Sequence, residues 1–235
     1  MIKNNDILFL IRTYNEWKYL LETIENIQKA WYYKILIVDD GSKDQTYNIL
    51  KNKENIYYIR HLINLWAGAA LETGFEFVRR YYKQLNIKYV VSFDADWQHS
   101  ISDIDNFKNA FENNKNLDVV LWSRFIKNTA FNIPWHRKII LNLWKFFTFF
   151  ISNISVSDPH NWYKMFTINA INKIHLTMDN FEYASELIDQ IAEKKLKFKE
   201  VPVNIIYTDY SLSKWQKSLN AINIAIKMIW NKFLK

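Results

Sequence analysis

Tyr89-Val90-Val91-Ser92-Phe93-Asp94-Ala95-Asp96 is the stretch whose reading decides the fold. Its first five residues are mostly apolar, as in a strand buried on both faces. Two carboxylates follow where that strand ends and the chain turns outward. On a continuing extended backbone, residues i and i+2 point the same way, so Asp94 and Asp96 repel each other unless a cation lies between them. Hard oxygen ligands of this kind suit Mg²⁺ or Mn²⁺, completed by the phosphates of a substrate. A bare Asp-x-Asp is short and common, so its meaning depends on what surrounds it.

Outward from this stretch, strands and helices alternate. Ile7 to Ile11 reads as a strand, and Leu20, Ile24, Ile27 and Trp31 mark one face of a helix. Ile35 to Val38 is a strand, followed by a helix through Tyr47 to Lys51. Ile56 to Arg60 is a strand, followed by a helix over about Ala67 to Tyr82. After Tyr89 to Phe93 come a helix near Ile104 to Phe111 and a strand at Leu117 to Trp122. This alternation predicts an α/β domain, with a mostly parallel central sheet flanked by helices. Right-handed crossovers put the strand C-terminal ends on one edge, where ligands bind. Arg12-Thr13-Tyr14, Asp39-Asp40, Asp94-Ala95-Asp96 and Ser123-Arg124 all fall just past predicted strands. In the second of these clusters, Gly41 permits a tight turn and Asp44 is placed to cap the next helix.

The composition sets limits. The 235 residues suit one large domain, and 49% hydrophobic content is ample for a core. Cysteine is absent, which excludes disulfides and thiolate metal sites. The N-terminal residues lack a signal-peptide layout, and no stretch is apolar for long enough to span a bilayer. The net charge of +7 fits nucleic acid, an anionic membrane surface or a phosphorylated substrate. The basic residues form no stripe and acids occupy the ligand edge, which argues against nucleic acid.

The second half of the chain is more aromatic. Residues 135–152 read as a helix with a narrow polar stripe and large apolar residues elsewhere, among them Trp144, Phe147 and Phe150. Both a core helix and an interfacial helix have this pattern. Leu219, Ile222, Ile226, Ile229 and Phe233 mark one face of a C-terminal amphipathic helix.

Taken in order, these pieces resemble the family 2 glycosyltransferases of the GT-A fold, most closely the branch of dolichyl- and polyprenyl-phosphate sugar synthases. The resemblance rests on Tyr14-Asn15-Glu16, Val38 to Asp44, Asn64 with Gly68 to Gly74, Asp94 to His99 and Ser123-Arg124-Phe125. It continues through Ser157-Asp158-Pro159, Glu186, Glu200-Val201-Pro202-Val203 and Ser213-Lys214. It implies a Rossmann-like GT-A domain over residues 1–215, with a nucleotide-binding half to about 125, an acceptor half over 126–215 and an amphipathic helix at 216–235. It implies that Tyr14 and Glu16 line the nucleotide pocket, that Asp39 and Asp40 hold base and ribose, and that Asp94 and Asp96 hold Mg²⁺ or Mn²⁺ with Gln98 nearby. Arg124 and Lys214 would face phosphates. Asp158, Lys164 and Glu186 would lie on the acceptor side.

The chain departs from the family pattern at four places. Arg12 stands where Pro is usual, and Trp66-Ala67 where Gly-Lys is usual. Trp162-Tyr163-Lys164 replaces Gly-aromatic-Arg, and Thr208 replaces an Arg. Acceptors with a sugar hydroxyl need a general base, often from a Glu-Asp pair that is missing here. A lipid phosphate is already anionic. The expected activity is therefore inverting transfer from a UDP- or GDP-sugar to a polyprenyl phosphate, by a peripheral protein at the cytoplasmic membrane face. Transfer to a glycan hydroxyl in envelope polysaccharide synthesis, and a non-catalytic binding role, are the alternatives.

Overall fold

The computed structural model describes residues 1–94, 100–123, 126, 154–158, 162–180 and 182–202. The expectations for Asp96, Gln98, Arg124, Lys214, the 135–152 helix and the C-terminal helix lie outside the described residues.

Every residue of β1 (Ile7–Thr13) is buried, so the strand has no solvent face and can only be central. It pairs in parallel with β2 (Lys34–Asp39) on one side and β4 (Tyr89–Asp94) on the other. Outside β2, β3 (Tyr57–Arg60) adds a parallel edge. Beyond β4 lies β6 (Lys164–Thr167), antiparallel to both β4 and β5 (Val119–Ser123). Finally β7 (Phe198–Pro202) runs parallel to β5. The order is β3-β2-β1-β4-β6-β5-β7.

The pleat divides the core into two. Ile7, Phe9, Ile11, Ile35, Ile37, Val91 and Phe93 face one side, packed against α1 (Trp17–Lys29) and α4 (Ile104–Asn113). Leu8, Leu10, Leu36, Val38 and Val90 face the other, against α3 (Trp66–Tyr81), α5 (Ile168–Lys173) and α6 (Tyr183–Glu193). The short α2 (Thr46–Leu50) adds Leu50 to the first side. At about 25 cal/mol per Å², burial of such side chains dominates the stabilisation.

The expected α/β class and mostly parallel sheet are observed. Two details differ from the sequence reading. Trp31 does not share the buried face of α1: the helix ends before it, its φ is 65° and it is 71% exposed. The chain turns there through a left-handed residue to enter β2. The second is the later part of the fold, where strands β6 and β7 and helices α5 and α6 went unread.

Candidate active site

The C-terminal ends of β1 to β5 and the start of the reversed β6 share one edge. In the parallel register Arg12 lies beside Asp94, and the pleat sends both toward the α3 and α6 side. Arg12 is buried, at 8% exposure. Its Nη2 donates to Asp94 Oδ1 at 2.7 Å. Its Nη1 donates to the Tyr183 hydroxyl and, at 3.4 Å, to the Ala67 carbonyl. The guanidinium also lies 5.4 Å from the Trp162 ring centre and 5.3 Å from that of Tyr183, within cation–π range. Burial alone would lower its pKa, but Tyr183 and Asp94 outweigh burial and raise it. Burial likewise raises the Tyr183 phenol. Arg12 thus places a buried cation against the Asp94 carboxylate.

Asp39 and Asp40 diverge because neighbours on a strand face opposite sides. Asp39 is fully buried; it accepts from Ser42 N at 2.9 Å and Tyr58 Oη at 2.8 Å, with Arg60 Nε at 3.5 Å. Burial and the bond to Asp39 raise the Tyr58 phenol. Asp40 Oδ1 accepts from Leu65 N at 2.8 Å and meets His61 Nδ1 at 2.7 Å, while His61 Nε2 meets Thr73 Oγ1 at 2.9 Å. Both acids therefore build the turn and the β3–α3 loop. Asn15 joins them: its N–H donates to Ser42 Oγ and its side-chain oxygen accepts from Lys43 N. Asp44 accepts from Thr46 N, two residues on, in a local turn, but the N-cap of α2 is Gln45 and not Asp44 as expected.

These turns enclose a cleft of about 340 Å³, within the size range of small-ligand sites. Tyr14, Tyr47, Arg60, Lys43, Asn48 and Asn64 line it, and Gly41 and Ser42 contribute backbone. Arg60 stacks 4.3 Å from the Tyr47 ring centre and donates to Ser42 O. Gly41 has φ +74°, and a Cβ there would stand 2.6 Å from the Ile63 carbonyl carbon. Aromatic faces, cationic heads and backbone polar groups in one cleft suit a base, a ribose and phosphates. Tyr14 lines this cleft; Asp39 and Asp40 stand behind it. Glu16 instead precedes α1, where its carbonyl accepts from Tyr19 N and Leu20 N. Sequence reasoning missed Tyr47 and Arg60, although Arg60 ends a predicted strand and so falls on the ligand edge by the same rule that selected Asp94.

The N-terminus of α3 is not an open anion site. Trp66 N donates to Asn64 Oδ1, and Gly68 N and Ala69 N donate to Asp179 O. Gly68 permits this approach, since a Cβ would lie 2.0 Å from Met178 O.

On the expected acceptor side, Lys164 opens β6 and is buried, and Asp158 is buried next to Ser157. Glu200 Oε1 accepts from Ser157 N and Oγ, both at 2.8 Å, and from Asp158 N at 3.3 Å. Burial raises the Glu200 carboxyl against the opposing effect of these bonds. Glu186 accepts from the Thr177 and Met178 N–H groups and the Thr177 hydroxyl, so it fixes the loop before α6. The cluster Glu72, Glu76 and His175 has metal-ligand spacing, but Arg79 already donates to both glutamates.

The fold is similar to that in the crystal structure of glucosyl-3-phosphoglycerate synthase from Mycobacterium tuberculosis in complex with Mn²⁺, UDP and phosphoglyceric acid, with a TM-score of 0.66 at 13% identity over 94% of this chain and 78% of that one. The fold is that of the GT-A glycosyltransferases. Residues 9–174 match the family model described as glycosyl transferase family 2, and the chain belongs to that family. It is a glycosyltransferase. An uncharacterized protein of Methanocaldococcus jannaschii is 34% identical over 98% of this chain and 94% of its own length. The UDP-N-acetylglucosamine–dolichyl-phosphate N-acetylglucosaminyltransferase of Methanococcus voltae is 29% identical over 97% of each chain.

Proposed function

We propose that this chain transfers a sugar, with inversion, from a UDP- or GDP-sugar to a polyprenyl phosphate at the cytoplasmic face of the membrane. The observation that carries this reading is the placement of a nucleoside-sized cleft and the Asp94 carboxylate on one sheet edge. The dolichyl-phosphate relative supports the lipid acceptor.

Tyr14, Tyr47 and Arg60 bind the nucleoside, on a turn held in shape by Asp39 and Asp40. The diphosphate would lie beside Asp94. One Asp94 oxygen meets Arg12 and the Asp94 side chain is 23% exposed, which fits a Mg²⁺ or Mn²⁺ ligand. Asp94 would hold that ion, with Asp96 and Gln98 as expected from the sequence. When bound, the ion supplies positive charge that stabilises the departing nucleoside diphosphate. Arg124 and Lys214, as expected from the sequence, would add cations toward the phosphates. An acceptor phosphate oxygen forms the new bond to the anomeric carbon as the bond to the diphosphate breaks. No side chain need remove a proton, because the phosphate is already anionic. Lys164, a buried cation on this edge, offsets that charge on the acceptor side.

One observation favours a hydroxyl acceptor as the second reading. Half-buried Glu200 accepts from the backbone N–H of buried Asp158, and a carboxyl whose pKa is raised by burial suits a general base. To separate the readings, purified protein is incubated with UDP-N-acetylglucosamine, UDP-glucose and GDP-mannose, with polyprenyl phosphate, with water-soluble oligosaccharides or with neither, and products are weighed by mass spectrometry. A polyprenyl-phosphate sugar is the expected product. Products formed only on water-soluble glycans would select the second reading, and no transfer from any donor would overturn both.

A further inference from the structure

Arg12, Ala67 and Trp162 are three positions where the sequence departs from its family pattern. They lie far apart in the chain and meet in space. The Arg12 guanidinium contacts the Ala67 carbonyl and lies over the Trp162 ring. From this nest, Nη2 reaches Asp94. The departures are therefore one packed unit whose polar end is a carboxylate of the ligand edge.

We propose that Arg12 is a positioning residue, which fixes the Asp94 carboxylate for the metal-bound diphosphate of the donor. The inference rests on the reading of Asp94 given under Proposed function. A carboxylate at a strand end is otherwise free to rotate about two side-chain bonds. Here Nη1 of the planar guanidinium is held by Tyr183 and Ala67, and the neighbouring rings of Trp162 and Tyr183 lie within cation–π range of it. A guanidinium so clamped presents one N–H to Oδ1 in a fixed direction and leaves Oδ2 to face the ligand. A lysine ammonium is a point donor and cannot hold all three acceptors in this plane. Partners that orient a metal ligand are worth about 10- to 100-fold in metal affinity.

The test is isothermal titration of the full chain with UDP and with GDP, each in Mn²⁺ and in EDTA. The wild type is expected to bind at least one of them more tightly with Mn²⁺. Arg12→Met, which keeps an unbranched stem and removes the fork, is expected to retain the EDTA affinity and to lose about tenfold of the Mn²⁺ enhancement. Adding Arg12→Met to Asp94→Asn should cause no further loss. Equal losses with and without Mn²⁺, or effects that add to those of Asp94→Asn, would overturn the proposal and leave Arg12 a packing residue. Should Arg12→Met not fold, Tyr183→Phe removes only the hydroxyl that Nη1 uses. It should lose part of the same enhancement, and an unchanged enhancement would overturn the proposal. A wild type without Mn²⁺ enhancement for either nucleotide would reject the reading of Asp94 itself, and the role of Arg12 with it.

Discussion

At the scale of single residues, the site depends on two backbone positions with positive φ. Gly41, at φ +74°, brings the turn after β2 against the Ile63 and Asn64 backbone. A side chain there costs about 1–2 kcal/mol in backbone conformation alone. The added Cβ would also meet backbone atoms that have no rotamer to change. Gly41→Ala is therefore expected to lower the melting temperature and to weaken UDP or GDP binding in the cleft. Unchanged values for both in calorimetry would refute this account of the cleft. Trp66 holds the same conformation, with φ 74°, at the place where the family pattern has Gly. Sequence reading singled out Arg12 and Asp94 individually. Their pairing follows only from the β1–β4 register, which sets residues 82 apart in sequence side by side. No local pattern encodes that register.

At the scale of elements, periodicity was a good guide wherever an element buries a full face. Strands β1 to β5 and helices α1, α3 and α4 were all legible from their apolar spacing. The short strand β6 was not, because Lys164-Met165-Phe166-Thr167 begins with a charge and is too brief to show a period. Its antiparallel place is set by β4 and β5, distant in sequence. Helix α3 offers a test of how elements are tied together. Arg79 on α3 donates through Nε to Ile171 O at 3.0 Å and through Nη2 to Ile174 O, at the end of α5. It also pairs with Glu72 and Glu76, and Glu72 accepts from Leu176 N. Arg79→Met leaves these carbonyls and the partly buried Glu72 uncompensated. It should cost about 2–3 kcal/mol in urea unfolding, the range for hydrogen bonds to charged groups. A loss below about 0.5 kcal/mol, as at ordinary surface sites, would show that the network is ornamental to α5 docking.

At the scale of the whole molecule, the net charge of +7 and the proposed lipid acceptor point to a membrane surface. No helix among the described residues is long and apolar enough to cross one. Co-sedimentation with anionic vesicles is expected at low salt and should weaken as ionic strength shortens the reach of surface charge to about 8 Å or less. Pelleting that ignores salt would instead assign the attachment to apolar insertion, for which residues 135–152 are the sequence candidate. Failure to pellet at any salt would remove the peripheral reading. The turn after β2 and the place of Tyr14 on the cleft were legible because turn chemistry and strand ends follow local rules. The contacts of Glu200 with Ser157 and Asp158 were not, because they join separate segments. The sheet order also governs how the chain comes to be built. Strands β1 to β4 form a contiguous parallel half that can assemble as soon as residue 94 has been made. Strand β5 comes next in sequence but has no place beside β4, because β6 must lie between them. The outer edge of β4 therefore stays open until residue 167 emerges, in a growing chain that already carries an apolar strand with unpaired amides. That interval is the stage of synthesis at which strand-to-strand association between nascent copies competes with correct closure.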